Sequence, residues 1–432
     1  MPVLNGREWG ALRVCSGAFA VLVAAALAPS SANADAPRGR AAAGKVVFAS
    51  ALDPSLGAAR AGYARLSADG RVVAFDAAVP ASSVPTQAYA RDLRSGSPAQ
   101  LVSVAVDGGP ADADARVASV STDGRFVAFW SAATNLVAGD TNGVYDVFVR
   151  DRVAGTTSRV SVGSAGEQAT GDSTAGFMSA DGNRVAFMSK ADNLVPADTN
   201  RRGDVFVRDL TAGTTRRVSL APGGAQSAWP SHVTSISADG DHVAFMSTGS
   251  DLADPDSAHR YLVYVHHLRS GRTEIASVDR HGRLPDGRSL GGSLSGNGRF
   301  VAFASSADDL VSSDPGRDTD VYVRDLKRDR NEIVSVRRDG SSVNKAFSSL
   351  VWDGALSYDG RFVAFSSSAR LLPGQPPGNF IRDRRTDTTT RVTSGGDLRL
   401  AGVARRASFT SGRVLVDADT DGLSDVYVTS FR

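Results

Sequence analysis

Ser121-Thr122-Asp123-Gly124-Arg125-Phe126-Val127-Ala128-Phe129, followed after a loop by Asp146-Val147-Phe148-Val149-Arg150-Asp151 and then by Arg159-Val160-Ser161-Val162, is a unit that the chain repeats. Copies of Ser-x-Asp-Gly begin at Ser67, Ser121, Ser179, Ser237 and Ser357, and Ser295 leads into Asn297-Gly298. Between the turn residues Asp69, Asp123, Asp181, Asp239, Asn297 and Asp359 the spacing is 54, 58, 58, 58 and 62 residues. A near-fixed period of this size marks stacked supersecondary units, none of which can bury its apolar faces alone.

Each unit reads as four strands. The first is short and built of small side chains, as in Val233-Thr234-Ser235-Ile236-Ser237, which suits a strand crowded toward a common axis. Asp-Gly or Asn-Gly then predicts a two-residue primed turn, because those residues tolerate positive φ. The second strand is apolar on both faces, with Val127 and Phe129 one way and Ala128 the other, so sheets must cover it from both sides. Asp-Val-Phe-Val-Arg-Asp supplies the third strand and Thr-x-Arg-Val-Ser-Val the fourth. Four-stranded antiparallel sheets repeated around a ring make an all-β fold, a single β-propeller.

Seven blades are expected, with six as the alternative. Residues 408–416 and 425–428 read as strands one to three of a seventh unit that has no fourth. Residues 45–50, Lys-Val-Val-Phe-Ala-Ser, stand in the register of a fourth strand ahead of Asp69. The expectation is that this N-terminal strand pairs with the third strand of the last blade and leaves no open sheet edge.

The Ser-x-Asp-Gly-Arg-x-Val-Ala-Phe and Asp-Val-Phe-Val-Arg-Asp-Leu elements resemble the WD-like propeller repeats of the TolB family, over essentially all of residues 45–432. The resemblance implies a propeller and protein–protein contact at the cell envelope. TolB proteins carry an α/β domain ahead of a six-bladed ring, and this sequence leaves no residues for one. The domain reading is therefore a signal peptide at 1–34, a flexible lead-in at 35–44 and the propeller at 45–432.

The leader rests on Arg7 and Arg13, an apolar run from about Ala18 to Ala28, and Ala32-Asn33-Ala34 as a cleavage site. That run is shorter than the roughly 20 residues a membrane span needs, so no transmembrane segment is expected in the mature chain. The one cysteine, Cys15, precedes the apolar run, so the mature protein has neither a lipid-modified cysteine nor a disulfide. These features predict a secreted or cell-envelope protein. The net charge of +2, with 48 Lys and Arg against 46 Asp and Glu, carries no footprint for nucleic acid. A monomer is expected.

The loop between the second and third strands carries the pattern closest to a metal site. It contains Asp140, Asn142 and Asp146 in unit two, and Asp417, Asp419, Asp421 and Asp425 in unit seven. Oxygen ligands at alternate positions, a glycine for the turn and a further carboxylate are what a hard cation such as Ca²⁺ requires, although the glutamate that closes an EF-hand is absent. The other reading has these Asp and Asn side chains capping the loop backbone with no ion. No cofactor is required by either.

All six histidines, His232, His242, His259, His266, His267 and His281, fall within one stretch, and they read as scattered surface side chains rather than a zinc site. Arg116, Trp229, His232 and Trp352 align near the entry to the first strands, so they are read either as the mouth of a ligand-binding channel or as its plug. No G-x-S-x-G elbow and no phosphate-cradling loop is present. The functional expectation is an exported, non-enzymatic binding or scaffold protein acting on a protein or cell-envelope component. The alternative is a carbohydrate-active lyase or hydrolase with its site at the channel mouth.

Overall fold

The computed structural model describes residues 46–431 apart from 57, 80–83, 250, 253–259, 315, 317, 338–339, 342–348, 352 and 395, and at 54, 222, 349 and 350 the backbone alone. The expected leader and lead-in, Trp352 and His259 lie outside the described residues. The rest forms seven four-stranded antiparallel sheets, one per repeat, with the first strand of each unit innermost. These inner strands are Arg60–Leu66, Ala115–Val120, Ser173–Met178, Ser231–Ile236, Ser289–Leu294, Ser349–Leu350 and Arg399–Leu400 in blades one to seven.

Blade seven takes its outermost strand from the other end of the chain. Val46–Phe48 pairs antiparallel with Asp425–Ser430, Val47 opposite Val428. The chemistry of a fourth strand comes with it. In blades two, three and five, Ser161, Ser219 and Ser335 donate to the first carboxylate of the third strand and accept the next backbone N–H. Ser50 does both to Asp425 and Val426 from 375 residues away, at 2.6 and 3.0 Å.

Alternation within a strand that is covered on both sides puts the core between the blades. Val127 and Phe129 pack into the seam with blade one, and Ala128 into the seam with blade three, all fully buried. The closing seam between blades seven and one is built the same way, from Ala49, Val73, Phe75, Val426 and Val428. Every blade repeats one cross-strand aromatic pair, from Phe75–Tyr89 through Phe245–Tyr264 to Phe409–Tyr427, with ring centroids 5.3–6.1 Å apart and the planes within 14–26°. Such offset pairs add about 0.5–1.5 kcal/mol each beyond their burial.

Two expectations are corrected. Asp-Gly does not form a two-residue primed turn. The Gly124 N–H donates to the Ser121 carbonyl at 3.0 Å, so the turn spans Ser121 to Gly124 and only the glycine has positive φ, +76°. The serine and aspartate hold the loop from inside. Ser121 Oγ donates to Asp123 Oδ1 and accepts the Phe126 N–H, while Asp123 Oδ1 also accepts the Arg125 N–H. A Cβ on Gly124 would stand 2.3 Å from Val72 of the preceding blade, so the glycine is required by the seam as well as by its φ.

The last unit is the second correction. Its first strand is Arg399–Leu400 and its second Arg406–Ser411, while residues 412–416 form no strand. The hairpin between them, closed by Ala401 N–H to the Arg406 carbonyl, has Val403-Ala404 where the other units have Asp-Gly or Asn-Gly, and so lacks the turn signal of the repeat.

These turns are joined in a circle. Backbone hydrogen bonds run Val403 to Ala68, Asp69 to Thr122, Thr122 to Ala180, Ala180 to Ala238, Ala238 to Gly296, Asn297 to Tyr358 and Tyr358 to Gly402, at 2.6–3.3 Å. At least one such bond crosses each of the seven seams, and the closing seam has a second, from the Ala404 N–H to the same Ala68 carbonyl at 3.1 Å.

Candidate functional site

A repeat protein concentrates function where one copy departs from the others. Strand register aligns Arg65 of blade one with Ser119, Ser235 and Ser293 of blades two, four and five, each opposite an alanine of the second strand. The serines tie inner strands together across the seams, as when Ser235 Oγ donates to the Gly292 carbonyl. The same position in blade seven is Arg399, opposite Ser408. Adjacent blades one and seven thus place two arginines side by side on inner strands.

Asp353 of blade six joins them, its two oxygens 2.9 Å from Arg65 Nη2 and 3.3 Å from Arg399 Nη2. Arg399 also binds Asp397, which accepts a hydrogen bond from Thr410. Burial, with Arg65 beside it, pushes the Arg399 guanidinium down to about 10, and Asp353 pulls it back. Burial opposes the Asp353 charge, but Arg399 and Arg65 outweigh it and hold the carboxyl below its ordinary value.

Asp76 lies on the second strand of blade one, Val72–Ala78, where blades two to five carry Trp130, Met188, Met246 and Ala304. It is 3% exposed. One oxygen accepts the Val117 N–H at 2.5 Å; the other has no hydrogen-bond partner and lies 3.8 Å from Arg116 Nη1. Burial raises its carboxyl to about 7 against the pull of the Val117 N–H and of Arg116, Arg65 and Arg399. Tyr63 stands beside this group at the inner-strand bulge between Gly62 and Arg65, 53% exposed and with φ of +50°. A large aromatic held in the left-handed region and turned outward is a strained, ligand-accessible position.

Of the four residues read as a channel mouth, Arg116 belongs to this group through Asp76 and Asp114. His232 occupies the equivalent position in blade four, where its ring contacts Met188 of blade three at 3.2 Å and burial lowers its pKa. Trp229 is half-buried ahead of that strand. The histidines are not all at the surface: His266 is 6% exposed, bonded to Thr273, and pushed down to about 4 by burial, then by His267 and Arg216.

The acidic loops divide into two kinds. Asp140 and Asp146 hold Arg159 between them, and Asn142 donates to Asp146 at 2.7 Å. In blade seven Asp419, Asp421 and Asp425 place ligand atoms within 4.8 Å of one another, the one such group of three among the described residues; Asp417 is exposed and outside it. Arg65, Asp76, Asp353 and Arg399 escape a reading built on motifs. Their sequence signal is charge at positions where the other copies are small or apolar, which emerges only when the units are aligned strand by strand.

Asp76 sets a pH dependence. Its folded pKa lies above the unfolded one, so its contribution is fully present below about pH 4 and is lost as the pH rises through about 7. Asp76→Asn keeps an acceptor for Val117 and is expected to melt above the parent at alkaline pH, by at most about 2–4 kcal/mol, the gain shrinking toward acid pH. Melting curves across that range check it; parallel pH profiles for the two proteins would show that Asp76 ionises without cost.

No protein-family model and no curated protein matches the chain. Its fold is similar to solved structures of oligogalacturonate lyase. One, in complex with manganese, has a TM-score of 0.54 and 13% identity over 90% of this chain and 98% of that one. The enzyme from Vibrio parahaemolyticus has a TM-score of 0.54 and 12% identity over the same shares. TolB from Acinetobacter baumannii is also similar, at a TM-score of 0.39 and 14% identity, over 67% of this chain and 62% of that one. The likeness to the two lyase structures accords with the propeller fold and shows nothing finer.

Proposed function

We propose that the protein is a binding propeller that works outside the cytoplasm and takes a polar, negatively charged group of a protein or cell-envelope component on the inner strands of blades six, seven, one and two. The observation that carries this reading is the break in repeat symmetry, where Arg65 and Arg399 replace serine and sit with Asp353, beside Arg116 and exposed Tyr63. Arginine and an exposed aromatic are favoured binding anchors. The leader read from the sequence supports export.

The test is capture from the envelope fraction of the producing cell by the tagged chain, with Tyr63→Ala/Arg116→Ser as the matched control. Enrichment of a component by the parent that the double variant loses supports this surface. Equal enrichment by both would move the binding site elsewhere on the ring.

The reading as a carbohydrate-active lyase or hydrolase has one observation in its favour, the Asp76 carboxyl near neutrality beside arginine, which suits general acid–base chemistry. Release of shorter saccharides by the parent and not by Asp76→Asn would replace binding with catalysis.

A further inference from the structure

Blades two, three and seven build the same acidic loop. Its last carboxylate begins the third strand, opposite Ser131, Ser189 and Ser411 respectively. Counted back from there, the positions are Asp140, Asn142, Asp146 in blade two; Asp198, Asn200, Asp204 in blade three; Asp419, Asp421, Asp425 in blade seven. Blades two and three supply their own cation. Arg159 Nη1 lies 3.5 Å from both Asp140 and Asp146, and Arg217 Nη1 lies 3.1 and 3.7 Å from Asp198 and Asp204; both arginines are more than nine-tenths buried. Each arginine sits on the fourth strand opposite Phe148 or Phe206.

In blade seven the fourth strand is Val46–Phe48, and the residue opposite Tyr427 is Phe48. The guanidinium is gone, and the asparagine of the other loops has become Asp421. Three carboxylates therefore stand where the other blades have two carboxylates, an amide and a cation. Among the described residues none of the three forms an ion pair.

Their hydrogen bonds leave a gap of the same shape. Asp425 Oδ1 accepts from Ser50 at 2.6 Å, Asp421 Oδ1 accepts the Leu423 N–H at 2.8 Å, and Asp419 Oδ2 accepts from the Tyr427 hydroxyl. Asp419 Oδ1 and Asp425 Oδ2, on residues 4% and 2% exposed, have no partner. Buried carboxylate oxygens without a proton donor or a cation cost several kcal/mol, so two of them converging with a third carboxylate call for a positive charge.

The geometry points to a calcium-class divalent cation held by Asp419, Asp421 and Asp425, taking the place that an arginine fills in blades two and three. Oxygen-only ligands select a hard cation, and the exposed side of Asp421 leaves room for the waters that complete its coordination. The site also bears on the ring as a whole. Asp425 is the residue that Ser50 binds, and the next backbone link, Ala49 N–H to the Val426 carbonyl at 2.9 Å, holds the N-terminal strand in place. The cation fixes the carboxylate on which ring closure turns.

The test uses the full chain stripped with a chelator and titrated with calcium. Calorimetry is expected to give one equivalent, and saturating calcium to raise the melting temperature by about 3 °C. Backbone exchange at Ala49 is expected to slow with calcium, because the cation acts on the closing strand. Asp421→Asn, an exposed site whose change leaves the fold intact, is expected to weaken binding about tenfold or more. Phe48→Arg/Asp421→Asn rebuilds the arrangement of blade two and is expected to be insensitive to calcium while melting no lower than the calcium-free parent. Absence of heat and of a melting shift at millimolar calcium would overturn the site, as would undiminished binding by Asp421→Asn. Binding with unchanged exchange at Ala49 would overturn its role in closure.

Discussion

Deletion of residues 45–50 is expected to be the most damaging short change to this protein, lowering its stability by roughly 5–8 kcal/mol, most of what a folded domain has in reserve. The loss has several parts. The third strand of blade seven, Asp425–Ser430, loses its ladder with Val46–Phe48 and the bond from Ala49, at about 1 kcal/mol per backbone hydrogen bond. Asp425, 2% exposed, loses the Ser50 hydroxyl, and the Val426 N–H loses its acceptor. The seam with blade one loses Ala49, and Phe48 leaves Tyr427, whose ring centroid it meets at 6.0 Å.

What remains is the six-residue third strand of blade seven bared as a sheet edge, where every other blade ends on a fourth strand, so aggregation should accompany the lower melting temperature. Ser50→Ala is a graded control, expected to cost about 1–3 kcal/mol through the two groups it leaves unpaired. A deletion variant that melts with the parent would mean the ring is held shut by the circle of turn hydrogen bonds and the aromatic seams alone.

Asp353→Ala is expected to cost about 3 kcal/mol, because it removes the carboxylate shared by two arginines rather than one partner of a surface pair. Arg399 has a side chain 5% exposed and Arg65 one 14% exposed, and Arg65 already disfavours the charge of Arg399. Without Asp353, Arg399 keeps Asp397, and among the described residues Arg65 keeps only the backbone carbonyls of Ala118 and Ala64. Asp353→Asn keeps hydrogen-bond acceptance but not the charge and should fall between parent and alanine variant. Chemical denaturation of the three proteins checks this order. Equal stability would mean that water replaces the carboxylate at low cost and that the arginines are not held in place by it.

The same three proteins bear on function. If the arginine pair is a binding surface, Asp353 orients it, and captured ligand should decline in step with the charge at position 353. The arginine pair with Asp353 and the acidic loop of blade seven are separate groups and respond to different probes, so the loss of one leaves the other open to measurement.

The period of the Asp-Gly turns, the doubly apolar Val-Ala-Phe strand and the register of residues 45–50 determined the ring, its antiparallel blades and its closure, because each is a local pattern repeated often enough to have one solution. The seventh blade was legible through its second and third strands, where Asp425-Val426-Tyr427-Val428 and the aromatic pair Phe409–Tyr427 keep the repeat, but not through its turn, where Val403-Ala404 takes the place of Asp-Gly or Asn-Gly. The sequence also singled out Asp417, Asp419, Asp421 and Asp425, since ligands two apart on a loop are visible in one dimension, while the exclusion of Asp417 came from the structure. Only the tertiary structure separated that loop from its copies. Whether an acidic loop already holds a cation depends on which residue faces it from the neighbouring strand, Arg159 in blade two and Phe48 in blade seven, and the latter lies at the far end of the chain. The grouping of Arg65, Asp76, Asp353 and Arg399 is tertiary for the same physical reason: charge is shared across seams between blades, and a ring brings residues of its first and last blades as close as neighbours.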